Sequence, residues 1–207
     1  MAQTLNHAFD AGINYIDLAA GHAPIFQAVG KTIQENGVLD YILDLKKKGI
    51  IHYIGLSSHS PKLIHQVLDM KILDVVMFSI NPAYDLKFGD YAIGEFDERM
   101  DLYRHLEKEG VGISVMKAFC GGKLLDADKS PFHQDLTETQ CMQYALDKLA
   151  VLTVLPGIRN DEDLTRILHY LEASDEEKDY SILGIFPKLE NDNQCVYLSI
   201  VILVQKD

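Results

Sequence analysis

Short, almost continuously apolar runs alternate along this chain with longer segments in which apolar residues recur every three or four positions. The short runs predict buried strands at 12–19, 51–56, 73–80, 112–117 and 151–155. The periodic segments predict helices at 2–11, 25–35, 38–48, 61–70, 97–109, 137–149 and 161–171. Alternation of this kind predicts an α/β fold in which helices cover a parallel sheet.

Several of the predicted helix ends carry their own signals. Asn36-Gly37 is a suitable C-terminal stop, and Ser60-Pro61 supplies an N-cap and a first-turn proline. The helices at 25–35 and 38–48 follow each other with only this stop between them. Because a right-handed parallel crossover needs a strand between two helices, this junction indicates lost material.

Composition narrows the class of protein. A chain of 207 residues with 47% hydrophobic and 24% charged residues can form one sizeable globular domain. Its formal net charge of −12 argues against nucleic acid or an anionic membrane as a partner. We expect a cytoplasmic location, because the sequence shows no signal-peptide pattern and its three cysteines form no disulfide framework or complete metal motif.

Asp17 is the first candidate for chemistry. It lies between Ile16 and Leu18 near the C-terminal end of a predicted buried strand. A carboxylate there needs a partner, because burying its charge is costly. Catalytic groups gather at this end of the strands in α/β proteins. A cap of the next helix or an ion pair with a structural lysine is the alternative.

Five segments in a fixed order resemble the aldo/keto reductase family. They are the strand that ends Asp17-Leu18-Ala19, then Ile54–His59, Asp74–Asn81, Gly112–Leu124 and Val154–Asn160. The similarity extends from about Gln3 to Tyr197, and the segments lie at helix-sized spacings. Within the family, the chain is most similar to the branch with a C-terminal iron–sulfur segment.

The resemblance implies a (β/α)₈ TIM barrel that reduces carbonyl groups with NADPH. Such a barrel usually takes about 250 residues and eight strands, whereas this sequence shows five strong strands. We therefore expect an incomplete aldo/keto reductase barrel with about five parallel strands; a compact variant barrel is the alternative. The expected division is a partial oxidoreductase barrel over 1–190 and an altered iron–sulfur remnant over 191–207.

Only part of the family's catalytic set is present. The resemblance implies a proton-donating tyrosine assisted by a lysine, an aspartate and a histidine. Asp17 matches the aspartate, but His22 occupies the tyrosine position, and the lysine and histidine have no counterparts. A histidine can donate a proton near neutral pH, so Asp17 and His22 are the candidate catalytic residues of an impaired enzyme.

The cofactor side of the family pattern is better preserved. The resemblance assigns nicotinamide contacts to the strand-end residues Ser57, Ser58 and Asn81. Backbone at Gly121 and Gly122 could approach a pyrophosphate, because glycine has no Cβ. A second set, formed by Gly157, Arg159 and Asn160, precedes a helix whose N-terminus can hold an anion. Arg159 favours NADP over NAD, because its guanidinium can bind a 2′-phosphate. Ordinary turns and a solvated arginine are the alternatives.

The tail departs from the iron–sulfur branch after Cys195. The resemblance implies four cysteines spaced by two residues as ligands of a [4Fe–4S] cluster, but one cysteine cannot hold it. Deleting one base from a plausible family codon sequence reproduces residues 198–206, so we predict that the cluster is lost. A genuine hydrophobic strand or docking tail is the alternative.

Two functions follow from these observations. The first is an NADPH-dependent oxidoreductase by descent, whose substrate would be a small carbonyl compound. The second is a non-catalytic truncated fragment that at most binds a nucleotide or a partner. In either case we expect no nucleic acid or membrane partner, and open sheet edges could permit self-association.

Overall fold

A computed structural model describes residues 15–20, 38–86, 93–185 and 198–203. The helices predicted at 2–11 and 25–35 lie outside these residues, as do His22 and Cys195. In the described ranges, no helix is long and apolar enough to cross a membrane.

Within the described residues, six strands form one sheet with the order β1-β6-β2-β3-β4-β5. The strands are β1 Tyr15–Ala20, β2 Tyr53–Ser58, β3 Val75–Ser79, β4 Gly112–Met116, β5 Val151–Val154 and β6 Leu198–Leu203. Neighbours from β2 to β5 pair in parallel, each strand with the next one along the chain. The predicted α/β fold with a parallel sheet is therefore confirmed for these four strands.

The expectation of a wholly parallel sheet was wrong, because β6 is antiparallel to its neighbours. This strand lies between β1 and β2 and is antiparallel to both, with Asp17 opposite Val201 and Val201 opposite Gly55. The sheet is mixed as a result, and β1 does not pair with β2. The run is apolar and uncharged, as expected for a strand that pairs on both sides.

Helices separate the strands, and most match their predicted positions. They are α1 Val38–Lys47, α2 Pro61–Leu68, α3 Pro82–Asp85, α4 Phe96–Glu109, α5 Glu138–Leu146, α6 Asp161–Leu168 and α7 Asp175–Lys178. The Ser60 hydroxyl accepts a hydrogen bond from the Leu63 amide, and Pro61 occupies the first turn, as predicted. The last turn predicted for α6 is a 3₁₀-helix, His169–Leu171.

The hydrophobic core lies against the parallel strands. Val76, Phe78, Ile113 and Val115 have no exposed surface and alternate along β3 and β4 with less buried positions. Ile64 of α2 belongs to the same buried cluster. Strands that helices cover in this way are nearly continuously apolar in sequence, which explains why the apolar runs predicted them.

A fully buried ion pair stands beside this core, at the end of β3. The Arg99 side chain of α4 and the Asp85 side chain of α3 are both completely buried, with the Arg99 Nε donating to Asp85 Oδ1 at 2.7 Å. Tyr103 and Tyr144 donate to the same carboxylate at 2.7 and 2.9 Å. Arg99 also donates to the Ser79 carbonyl oxygen. Burial beside this carboxylate raises the pKa of both tyrosines, so they stay neutral donors.

Removing the carboxylate should destabilise the protein strongly. Asp85→Ala leaves the Arg99 charge buried without its partner, and breaking a buried pair in this way typically costs about 3–5 kcal/mol. Urea denaturation followed by circular dichroism measures this loss. Asp101→Ala is the matched control, because it removes an aspartate from the exposed Arg104–Asp101 pair and should change the free energy of unfolding by about 0.5 kcal/mol or less. Similar losses in the two variants would contradict the role of the buried pair.

Candidate active site

The parallel strands bring polar residues together at their C-terminal ends. Ser57 and Ser58 end β2, Asn81 follows β3, and Lys117 follows β4. All four strands run the same way, so these residues share one edge of the sheet. Ligand sites of open parallel sheets lie at this edge.

A cleft with a volume of about 1030 Å³ opens at the ends of β4 and β5. The loop after β4 contributes Gly121 and Gly122, and the loop after β5 contributes Gly157 and Arg159. The structure therefore brings these four predicted cofactor residues to one site. They come from loops that are 36 residues apart in sequence, counted from Gly121 to Gly157.

The loop after β4 has an unusual backbone. Lys117, Cys120, Gly121 and Gly122 all have positive φ angles, of 60°, 52°, 67° and 87°. Such angles are costly for residues that have a Cβ and are often found at functional sites. A Cβ built on either glycine would have no other atom within 4 Å. The backbone conformation thus favours glycine at both positions, and space is open beside them.

Asn81 supports this loop from the neighbouring strand. Its side chain is fully buried. The amide nitrogen donates to the Lys117 carbonyl oxygen at 2.8 Å, and the amide oxygen accepts from the Tyr84 amide at 2.9 Å. The amide predicted to contact a cofactor is therefore engaged by the protein, where it caps α3 and holds the start of the cleft loop.

The serines at the end of β2 are buried and do not line the cleft. Ser58 is fully buried, and its hydroxyl oxygen accepts from the Ser60 amide at 3.1 Å. Ser57 is almost fully buried and pairs with Met77 in the ladder between β2 and β3.

Of the two predicted catalytic residues, Asp17 lies in the middle of β1, and β6 separates β1 from β2 in the sheet. The other, His22, is outside the described residues.

Arg159 is held by an acid that sequence analysis missed. The Asp163 carboxylate accepts from the Arg159 backbone amide at 3.1 Å and from its Nε at 2.9 Å. Arg166 donates to the same carboxylate. Asn160, the remaining predicted cofactor residue, caps α6 by accepting from the Asp163 amide at 2.8 Å. The i, i+4 spacing of Arg159 and Asp163 was the available signal.

These contacts hold the two arginines at the cleft wall. The hydrogen bond from Arg159 lowers the pKa of Asp163, and the same bond raises the pKa of Arg159. The Arg159 side chain is nevertheless 83% exposed. It therefore presents a positive charge to the cleft while its position is set by Asp163.

The cleft is more basic than the chain as a whole. Its lining has five basic and four acidic residues, whereas the chain has a net charge of −12. The basic residues are Lys117, Lys123, Lys129, Arg159 and Arg166. The surplus is one charge, and Lys129, Arg159 and Arg166 are paired with acids of the same lining. The cleft therefore repels an anionic ligand less than the rest of this acidic protein does. In the described ranges, no cluster of three or more potential ligands could hold a metal ion.

His59 is a second residue that sequence analysis passed over. It follows Ser58 directly, is 4% exposed, and its Nδ1 lies 2.9 Å from the Ser79 hydroxyl oxygen. Burial, with smaller contributions from Lys117 and Arg99, lowers its pKa from 6.5 to about 4. The imidazole is therefore neutral at physiological pH and links the ends of β2 and β3.

His59 should make stability depend on pH. The unfolded state, with a pKa near 6.5, takes up this proton before the folded state does, so stability falls as the pH drops from 6.5 towards 4. The loss attributable to His59 between pH 7 and pH 5 is about 2 kcal/mol. Urea denaturation at both pH values should show a smaller loss for His59→Asn than for the wild-type protein. The exposed His52→Asn should keep the wild-type loss, and an equal loss in all three proteins would contradict the assignment.

Comparison with known proteins agrees with this arrangement. Residues 22–142 match the Aldo/keto reductase family, and this range includes β2, β3, β4 and the glycine loop of the cleft. No curated protein matches the chain. The matched range covers more than half of the 207 residues. The chain belongs to the aldo/keto reductase family.

Proposed function

We propose that this chain binds NADP(H) in the cleft at the ends of β4 and β5, and that it is an oxidoreductase by descent with impaired carbonyl reduction. The observation that carries the proposal is the pairing of two features across one cleft. One is the left-handed glycine backbone at Gly121 and Gly122, and the other is the exposed guanidinium of Arg159.

The residues present fit a nucleotide phosphate. Open space beside Gly121 and Gly122 leaves room for a ligand to approach the backbone closely. Gly157, on the opposite loop, also has no atom within 4 Å of a built Cβ. Lys117 and Lys123 lie in the same lining and add positive charge. The Gly122 amide already donates to the Phe119 carbonyl oxygen at 2.9 Å, so the lining offers a phosphate group cationic side chains and close approach to the backbone.

Arg159 is the residue that favours NADP over NAD. Its hydrogen bonds to the Asp163 side chain use Nε and Nη2, which leaves Nη1 as a donor for a 2′-phosphate. Asp163 fixes the side chain before any ligand arrives, so less conformational freedom is lost on binding. The same carboxylate also competes for the guanidinium, which should keep the affinity moderate.

Carbonyl reduction would require more than the cleft. When bound, the nicotinamide would supply the hydride. This chain would have to supply the proton, and His22 with Asp17 are the candidates by position in the sequence. A general acid must lie within hydrogen-bond reach of the carbonyl oxygen, and the family's tyrosine, lysine and histidine are absent from the matching positions. We therefore infer that activity is weak.

The alternative function is a non-catalytic protein that binds a nucleotide. It is favoured by the roles of Ser58 and Asn81, whose side chains are engaged within the protein. A site that holds phosphate without orienting the nicotinamide would bind the cofactor and not use it. Measuring affinity and turnover on the same preparation separates the two functions.

Arg159→Ala should weaken NADPH binding and spare NADH. Losing one charge-assisted hydrogen bond to the 2′-phosphate should cost roughly 1–3 kcal/mol, whereas NADH has no such group. Isothermal titration of the purified chain with each cofactor measures both affinities.

The control for this titration is Arg104→Ala. Arg104 is an exposed arginine of α4 and is paired with Asp101, so its loss changes the net charge equally without touching the cleft. Equal weakening for NADPH and NADH would contradict the 2′-phosphate role of Arg159. Absence of binding by the wild-type chain at millimolar concentration would overturn the proposed function itself.

The chain should show little carbonyl reduction and hold no iron–sulfur cluster. Loss of cooperating catalytic groups lowers rates by several orders of magnitude, and the tail offers Cys195 alone as a ligand. The assay is NADPH oxidation with a panel of aldehydes and quinones, with iron and sulfide analysis of anaerobically purified protein. Robust turnover that disappears in Asp17→Asn would show that Asp17 still serves catalysis and would contradict the expected impairment. Iron at about four per chain would overturn the loss of the cluster.

A further inference from the structure

β5 ends the sheet. It pairs with β4 on one side, and no other strand of the described part of the chain pairs with its outer side. Alternate residues of Val151–Val154 therefore direct backbone groups to this outer side. An edge of this kind can extend a sheet by pairing with another chain.

The surroundings of this edge are apolar and uncharged. Residues 149–158 contain no charged side chain. Leu152 is 72% exposed and Leu149 is 50% exposed, while Leu155 and Ile158, at the cleft side, are about half exposed. Edge strands that stay unpaired are commonly protected by lysines or prolines within the strand, and Val151–Val154 has neither.

We propose that the β5 edge is an interface between two copies of this chain, which pair through their β5 strands across a two-fold axis. A two-fold axis perpendicular to the sheet makes the two copies of one strand antiparallel, so the same patch serves on both sides. Each copy has a net charge of −12, so most surfaces repel their counterparts. The uncharged segment 149–158 is where two such chains can meet without bringing like charges together.

The size of the patch sets the strength of this dimer. A half-exposed leucine or isoleucine presents on the order of 100 Å², so the four exposed side chains of 149–158, of which Leu155 and Ile158 also line the cleft, would bury at most about 800 Å² over two copies, apart from the backbone. This is below the roughly 1,200 Å² at which standard interfaces begin and is typical of weak, transient contacts. The dimer should accordingly be reversible, with a dissociation constant on the order of micromolar.

Thr153→Lys is the variant that tests the interface. Thr153 is exposed in the middle of β5 and outside the cleft lining, so the substitution places like charges at the two-fold axis. Leu152 is less suitable, because its Cδ1 lies only 2.0 Å from a Cβ built on Gly112 of β4, which shows that it packs on the neighbouring strand. The matched control is Ile50→Lys, which introduces the same charge at a 50% exposed apolar residue that precedes β2.

Sedimentation of the full chain from roughly 1 to 500 µM brackets a micromolar constant. The wild-type protein and Ile50→Lys should shift from the 23.3 kDa monomer to twice that mass. Thr153→Lys should weaken association at least ~10-fold, as expected when like charges face each other across a small interface. In the wild-type protein, hydrogen exchange of the β5 amides should slow as the concentration rises, a result that does not depend on whether a variant folds.

Four results would overturn the proposal. One is a monomer at every concentration with fast-exchanging β5 amides. Another is a monomer whose β5 amides are protected at every concentration, which would mean that a segment of the same chain covers the edge. A dimer that Thr153→Lys leaves intact would place the interface elsewhere. Oligomers that grow beyond two copies would exclude a closed two-fold contact.

Discussion

The buried charge of Arg99 is the constraint on which the rest of the structure depends. A guanidinium buried away from solvent needs hydrogen-bond acceptors for its donors, and Arg99 donates to Asp85, to the Tyr103 hydroxyl group and to the carbonyl oxygens of Ser79 and Ile93. These partners come from α3, α4, the end of β3 and the segment before α4. No buried side-chain polar atom lacks a hydrogen-bond partner in the part of the chain that the structure describes. The network therefore fixes how two helices and a strand meet.

The hydrogen bonds around Arg99 also position the candidate site. Ser79, whose carbonyl oxygen binds Arg99, also faces His59 through its hydroxyl group. Two residues later Asn81 holds the carbonyl oxygen of Lys117, where the cleft loop begins. The glycine loop is thus positioned by a short series of polar contacts that starts in the core. A cleft built on rigid elements in this way can keep strained backbone angles in place.

Sequence reasoning found the elements whose signals are local. Apolar runs located β3, β4 and β5, and the Ser60-Pro61 cap located the start of α2. The end of β2 was placed two residues early, because Ser57 and Ser58 are polar although buried. The place of β6 in the sheet could not be predicted, since pairing of Val201 with Asp17 and Gly55 depends on contacts between distant segments.

The residues of the candidate site could also be predicted where their signal is local in the sequence, and their contacts with distant residues could not. Family motifs pointed to Gly121, Gly157 and Arg159, and the structure places all three on one cleft. The engagement of Asn81 was not predictable, because its partner Lys117 is 36 residues away. The ion pair of Arg159 with Asp163 could have been predicted, because the two residues are four positions apart in the sequence. Motifs identify residue types, whereas hydrogen-bond partners are set by the fold.

The position of β6 affects the order in which the sheet can assemble. The unit from β2 to β5 needs only residues 53–154, whereas among the described strands β1 joins it through the strand at 198–203. Pairing between residues so distant in sequence is slow, because a long loop must close first. Since a chain is synthesised from its N-terminus, β1 has to wait until the strand at 198–203 has been made. Among the described strands, β1, which carries Asp17, is therefore set in place no earlier than β6, and the edge of β2 that β6 covers stays open to other chains until then.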